Sequence, residues 1–216
     1  MSRRALVLAS AALLAAAPAA AQLPDYLGVD VGVARPQFTA LASGAAERLS
    51  GLFLYARARL ELQPLSVDVS YAQGRLTADS GSVTSRTYAE GSVLAVYHVP
   101  RVSWLTVKAG PHLRAYASPG GTERWVWWET HARADVPIVA DQLVAYGEGW
   151  IALASSVNLE PGGSSGKGAE VGVRIRLPHS PVWARLGFVA DQATLKAGAR
   201  SEFLQAVVAS VAIGGQ

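Results

Sequence analysis

Five residues in the middle of this chain have the types and spacing for proton-transfer chemistry: Glu90, His112, Arg114, Glu129 and His131. His112 and Arg114 are two residues apart, as are Glu129 and His131, so within extended segments each pair shares a face. Folding residues 89–98 and 105–115 back on each other about Arg101 puts Glu90 opposite His112, with Arg114 one step further out. Carboxylates flanking an imidazole can orient and charge it for general-base work. The same residues also make a buried acid–histidine ion pair without catalysis, the reading that a single sequence favours. Other chemistry lacks a motif. There is no G-x-S-x-G or S-x-x-K nucleophile signature. His98, His112, His131 and His179 lack zinc-ligand spacing, so no metal, cofactor or firm catalytic residue is assigned. The chain has no cysteine. Gly162 to Gly168 is glycine-rich, but Gly168 follows Lys167 where a phosphate loop needs Ser or Thr, so it reads as an external loop.

The elements that must position these residues show a period of two. Val29, Val31 and Val33 alternate with Asp30 and Gly32. Leu52, Leu54, Ala56 and Ala58 oppose Phe53, Tyr55, Arg57 and Arg59, and Val67 and Val69 oppose Asp68 and Ser70. The pattern returns in segments around residues 89–98, 105–115, 126–135, 143–153, 169–177 and 182–191. A tenth, Glu202 to Ile213, is apolar in both phases and its faces stay unassigned. A helix cannot produce such alternation. Residues 35–50, 73–86, 116–124, 154–168 and 191–201 read as long connections rich in Gly, Ser, Ala and Pro. Between them lie tight turns near Gln63-Pro64, Val99-Pro100-Arg101, Pro137 and Pro178 to Pro181. Proline presets φ and ends the preceding strand.

Arg3 and Arg4, the apolar run Ala5–Ala17 and the small residues through Ala21 describe a secretory signal over residues 1–21, which leaves residues 22–216 as one domain. The run stops at Pro18, short of the roughly 20 apolar residues that span a membrane. Of the 19 basic residues, removing Arg3 and Arg4 leaves 17 against 16 acidic ones. The net charge therefore gives no case for a nucleic-acid partner, which needs a concentrated basic stripe. Half the residues are hydrophobic, yet no later stretch is long enough for a spanning helix. A closed barrel is the other structure that satisfies its backbone in lipid.

With this alternation and these connections, residues 26–213 resemble the small monomeric outer-membrane β-barrels, which have an even strand number, short periplasmic turns and long external loops. Such barrels often finish on an aromatic residue, whereas this chain ends Gly214-Gly215-Gln216. The resemblance implies an all-β, closed, antiparallel up-and-down transmembrane barrel of about ten strands. It implies a monomer in the bacterial outer membrane, with lipid and the barrel-assembly machinery as partners. The extracellular ligand is unknown. The polar faces then point into the lumen, where charges of both signs pair, Arg59 with Asp68 and Glu61 with Ser66, and largely plug it. Tyr71, Tyr97, Trp104, Trp125, Trp128 and Phe188 are expected in the interfacial girdles. A structural or surface-interaction role follows. The alternatives are a hydrolase with His112 near the barrel mouth, a narrow solute channel, and a soluble periplasmic ligand-binding barrel. The outer-membrane proteases, also ten-stranded, work at such a mouth, but none of their motifs is present.

Overall fold

The computed structural model describes residues 27–42, 45–62, 65–78, 84–157, 164–195 and 200–214. The signal segment 1–21 and the turn at Gln63-Pro64 lie outside the described residues. Ten strands form: β1 (Leu27–Ala42), β2 (Ala45–Leu62), β3 (Leu65–Ala78), β4 (Arg86–His98), β5 (Leu105–Ser118), β6 (Gly121–Val139), β7 (Leu143–Val157), β8 (Ser164–Arg176), β9 (Val182–Leu195) and β10 (Arg200–Gly214). Each pairs antiparallel with its neighbours in sequence, and β1 pairs with β10, for example Val31 with Val211. The sheet closes into an up-and-down barrel and leaves no edge strand.

The alternation sets the two faces. Outward residues such as Leu54, Val69, Val171, Leu186 and Val207 are each about half exposed or more, while Asp68, Lys108, Arg114, Glu129 and Glu148 are buried inside. An apolar exterior around a polar interior is the arrangement lipid requires. In β10 the even-numbered residues Glu202, Leu204, Ala206, Val208 and Ser210 face inward.

The interior is layered, with charged groups both above and below an apolar tier. Towards the end opposite the chain termini, Phe38, Leu49, Phe53, Leu76, Tyr88, Tyr116, Trp125 and Trp127 form a buried apolar core. Phe53 stacks on Tyr88 at 4.1 Å, Tyr88 meets Tyr116 edge-on at 5.5 Å, and Trp125 stacks on Trp127 at 5.5 Å. Above this core, Glu47, Arg86, Glu123, Arg200 and Glu202 pair around the mouth, with Arg86–Glu47 at 2.5 Å and Arg200–Glu123 at 3.0 Å.

That apolar tier accounts for most departures from the expected elements. Where the inward residues are apolar too, alternation fades and strand reads as loop. Residues 35–42, 45–50, 73–78, 116–118, 121–124, 154–157 and 191–195 are strand, as are Ser164–Gly168, which had read as part of an external loop; the expected long connection over 116–124 is a two-residue turn at Pro119 and Gly120. The strands accordingly run 13 to 19 residues rather than about ten. Pro36, which has no N–H, is buried in the lumen inside β1, and the β1–β2 pairing lapses at Arg35 and Pro36. Pro137 lies within β6 at a register irregularity, and the turn follows at Ala140–Gln142. Trp125 is fully buried in the core, not in a girdle; Tyr71, Tyr97, Trp104, Trp128 and Phe188 are exposed.

Candidate functional site

Below the aromatic tier, inward positions two residues apart on β4 to β7 and β9 bring the charged side chains together. The β4–β5 register pairs Glu90 with Arg114 and Ser92 with His112, two residues from the pairing expected by folding about Arg101. The turn causes the difference. Val102 N donates to Val99 O at 3.1 Å, Leu105 N donates to Val102 O at 2.9 Å, and Arg101 takes φ 67°. The hairpin therefore turns about Val102. Glu90 still reaches His112 diagonally across the strands, with Oε1 2.6 Å from Nε2. On the other side of the ring, His112 Nδ1 is 2.8 Å from Glu129 Oε2.

Glu129 Oε2 also lies 3.2 Å from His131 Nε2, and His131 Nδ1 is 2.9 Å from Glu148 Oε1. Lys108 Nζ donates to both Glu148 oxygens at 3.0 Å and lies 3.5 Å from Asp68. Arg59 donates to both oxygens of Asp68, at 2.6 and 3.0 Å. At the other end Arg114 donates to Glu90 at 2.9 Å and to Asp191 at 2.7 Å, and Trp150 Nε1 donates to Asp191 at 3.1 Å. An unbroken chain of alternating acids and bases thus runs from Asp191 to Arg59. Trp127 meets His112 edge-on at 5.2 Å, Trp150 stacks on His131 at 5.7 Å, and the Arg114 guanidinium lies 5.1 Å from the Trp127 ring centre. Glu61 accepts from Ser66 at 2.6 Å, as its register predicts.

All five residues singled out in the sequence belong to this one network. Lys108 and Glu148 link them to the Arg59–Asp68 pair, Asp191 ends the network on the other side, and the aromatic rings of Trp127 and Trp150 flank it. The charged three carried a signal, the same inward phase, but their meeting across the lumen depends on barrel closure, which no local pattern encodes. A cavity of about 190 Å³ beside the network is lined by Ser70, Ser92, His112 and His131, among others. Ser92 stands opposite His112 in register, the place for a nucleophile, yet its hydroxyl is 2.7 Å from that of Ser70. Glu90 Oε1 stands 2.6 Å from His112 Nε2, the atom that would take a serine proton, although Nε2 makes no hydrogen bond. Among the described residues, no three His, Asp or Glu side chains are grouped to hold a metal.

No protein-family model matches the chain, and no curated protein matches it. Solved structures do. The outer membrane protease OmpT from Escherichia coli is similar with a TM-score of 0.53 at 9% identity, over 88% of this chain and 97% of that one. The translocator domain of the autotransporter NalP from Neisseria meningitidis is similar with a TM-score of 0.51 at 13% identity, over 97% of each chain. At such identities the likeness shows the fold alone: the architecture is that of the small outer-membrane β-barrels.

Proposed function

We propose that this protein is an outer-membrane barrel with a blocked lumen, serving a structural or surface-interaction role. The observation that carries the reading is the sequence of layers inside the wall: paired charges at the mouth, a close-packed aromatic tier, then the Asp191-to-Arg59 network. The rings of the tier are almost wholly buried, and the cavity of about 190 Å³ is bounded by Phe53 and Tyr88 of that tier and by the network. The apolar exterior supports the membrane over the periplasm, because a soluble barrel puts its apolar face inside. On this reading the short turns face the periplasm, lipid and the barrel-assembly machinery are the partners, and the protein is a monomer.

The hydrolase reading draws on one feature, His112 between two carboxylates. Against it, the ring lies below the aromatic tier and the Glu90 carboxylate stands against its Nε2 edge. Fractionation with a heat-modifiability gel tests the membrane placement: recovery in soluble periplasm, with no shift on heating, overturns it. Planar-bilayer recording tests the blocked lumen, and steady single-channel conductance by the wild-type protein overturns that part.

A further inference from the structure

A second cavity, of about 220 Å³, lies at the short-turn end of the lumen, below the acid–histidine network, with exposed Ser103 of the β4–β5 turn at its rim. Its wall carries five guanidinium groups: Arg57, Arg59, Arg133, Arg174 and Arg185. Asp30 and Asp135 are the acids that line it. Asp68, Glu148 and Glu170 pair with these arginines from beyond the cavity wall, and Lys108 shares Asp68 and Glu148, which leaves six cations facing five carboxylates.

The pairing is also uneven. Arg59 holds both oxygens of Asp68. Arg133 takes both oxygens of Asp135 at 2.9 Å, and Arg174 shares one of them at 2.7 Å. Arg185 reaches Asp30 and Glu170 only at 3.4 Å each, and its buried Nε has no hydrogen-bond partner. Arg57 makes no hydrogen bond or ion pair among the described residues, although Asp30 stands beside it in register and it lines both lumen cavities.

A plug of matched charges does not need this arrangement. In the network above, every base but the terminal Arg59 lies between two acids; here guanidinium groups crowd together with too few anions. Like charges packed in a partly buried wall are unfavourable unless something compensates them. Guanidinium forks match the oxygens of phosphate bidentately. Two loosely held forks around one hollow suit an anion of charge −2 or more with several oxygens.

We propose that this vestibule binds a small multivalent oxyanion of the phosphate class, a phosphate ester or pyrophosphate, entering from the short-turn end. Arg57 and Arg185 are its principal contacts, and Arg133 and Arg174 border it. The site is independent of whether the mouth end is blocked.

The test is calorimetric titration of the full-length protein in detergent micelles with pyrophosphate, against chloride at matched ionic strength. The wild type is expected to bind pyrophosphate saturably at one site. Arg57→Gln is expected to weaken binding about tenfold to a hundredfold, the worth of a hydrogen bond to a charged group. Arg101→Asn, on the exposed β4–β5 turn at a positive φ that Asn tolerates, leaves binding unchanged. Absence of pyrophosphate binding by the wild type, or equal binding by Arg57→Gln, overturns the proposal. Should Arg57→Gln fail to fold, Arg57→Lys keeps the charge but loses the fork, and undiminished binding by it overturns the proposal equally.

Discussion

An imidazole held between two carboxylates is costly to remove, because what remains is a buried Glu129 and a half-buried Glu90 facing each other. His112 has Glu90 at 2.6 Å and Glu129 at 2.8 Å, so His112→Ala is expected to lower stability by about 3–5 kcal/mol. The unfolding midpoint in detergent reads this, with Arg59→Ala, which strands Asp68, as a second broken pair. Functional residues commonly cost stability rather than supply it. An unchanged or raised midpoint for His112→Ala beside a damaged Arg59→Ala would therefore favour catalysis at this ring. The lipid face gives the opposite kind of residue. Val107→Arg or Val173→Arg is expected to cost about 2–4 kcal/mol at mid-bilayer depth. Ser103→Arg, exposed on a turn, is expected to be tolerated. Equal tolerance of Arg at Val107 and Ser103 would reverse the assignment of faces.

Strands of this barrel meet the aromatic tier through glycine. A Cβ added at Gly74 of β3 would lie 2.3 Å from both Leu52 O and Phe53 Cδ1, so the Phe53 ring takes its place against the tier because Gly74 has no side chain. Gly74→Ala is expected to cost about 1–3 kcal/mol. Gly91→Ala, where the nearest atom is 3.4 Å away, should cost distinctly less; the same unfolding titration compares them. Connections offer a second test. Protease added to intact cells is expected to cut between β3 and β4 or between β7 and β8, and cutting near Pro100 or Asp141 from outside would invert the topology. What was legible at this scale follows from the solvent on each side. Lipid demands apolar residues along the whole outer face, so β2, β3, β5 and β8 show their phase wherever the lumen side is polar. Around Phe38, Leu76, Ala193 and Leu204 the lumen side is apolar as well, the contrast vanishes, and strand reads as loop. The partner of Glu90 was misjudged for a different reason: one positive-φ residue, Arg101, moves the hairpin centre by one position and the register by two. The five site residues were legible because each keeps the inward phase, whereas Lys108 and Asp191 join them only when the sheet closes.

At the scale of the whole barrel, two unlike barriers lie in series across one lumen. The aromatic tier excludes water by packing, and its members are almost wholly buried: Trp125 0%, Tyr88 1%, Tyr116 1% and Phe38 1% exposed. The network below it excludes free ions differently, because each charge is already neutralised by neighbours on other strands, from Asp191 on β9 to Arg59 on β2. Such a network fails sharply, since removing one member leaves another buried without its partner. The two barriers should therefore respond differently to mutation. Tyr116→Ala with Trp125→Ala opens space in the tier but strands no carboxylate of the Asp191-to-Arg59 network, so the barrel is expected to lose stability and yet stay closed to steady current in a planar bilayer. Adding Lys108→Ala removes the cation between Glu148 and Asp68, leaving Asp68 to Arg59 and Glu148 to His131 and Arg133, and so breaks the network and adds negative charge beneath the widened tier. Only this triple variant is expected to admit water and small cations through the full length of the lumen. Steady conductance by the double variant would show that the charged network is no barrier on its own, and the blocked lumen would then depend on the aromatic tier alone.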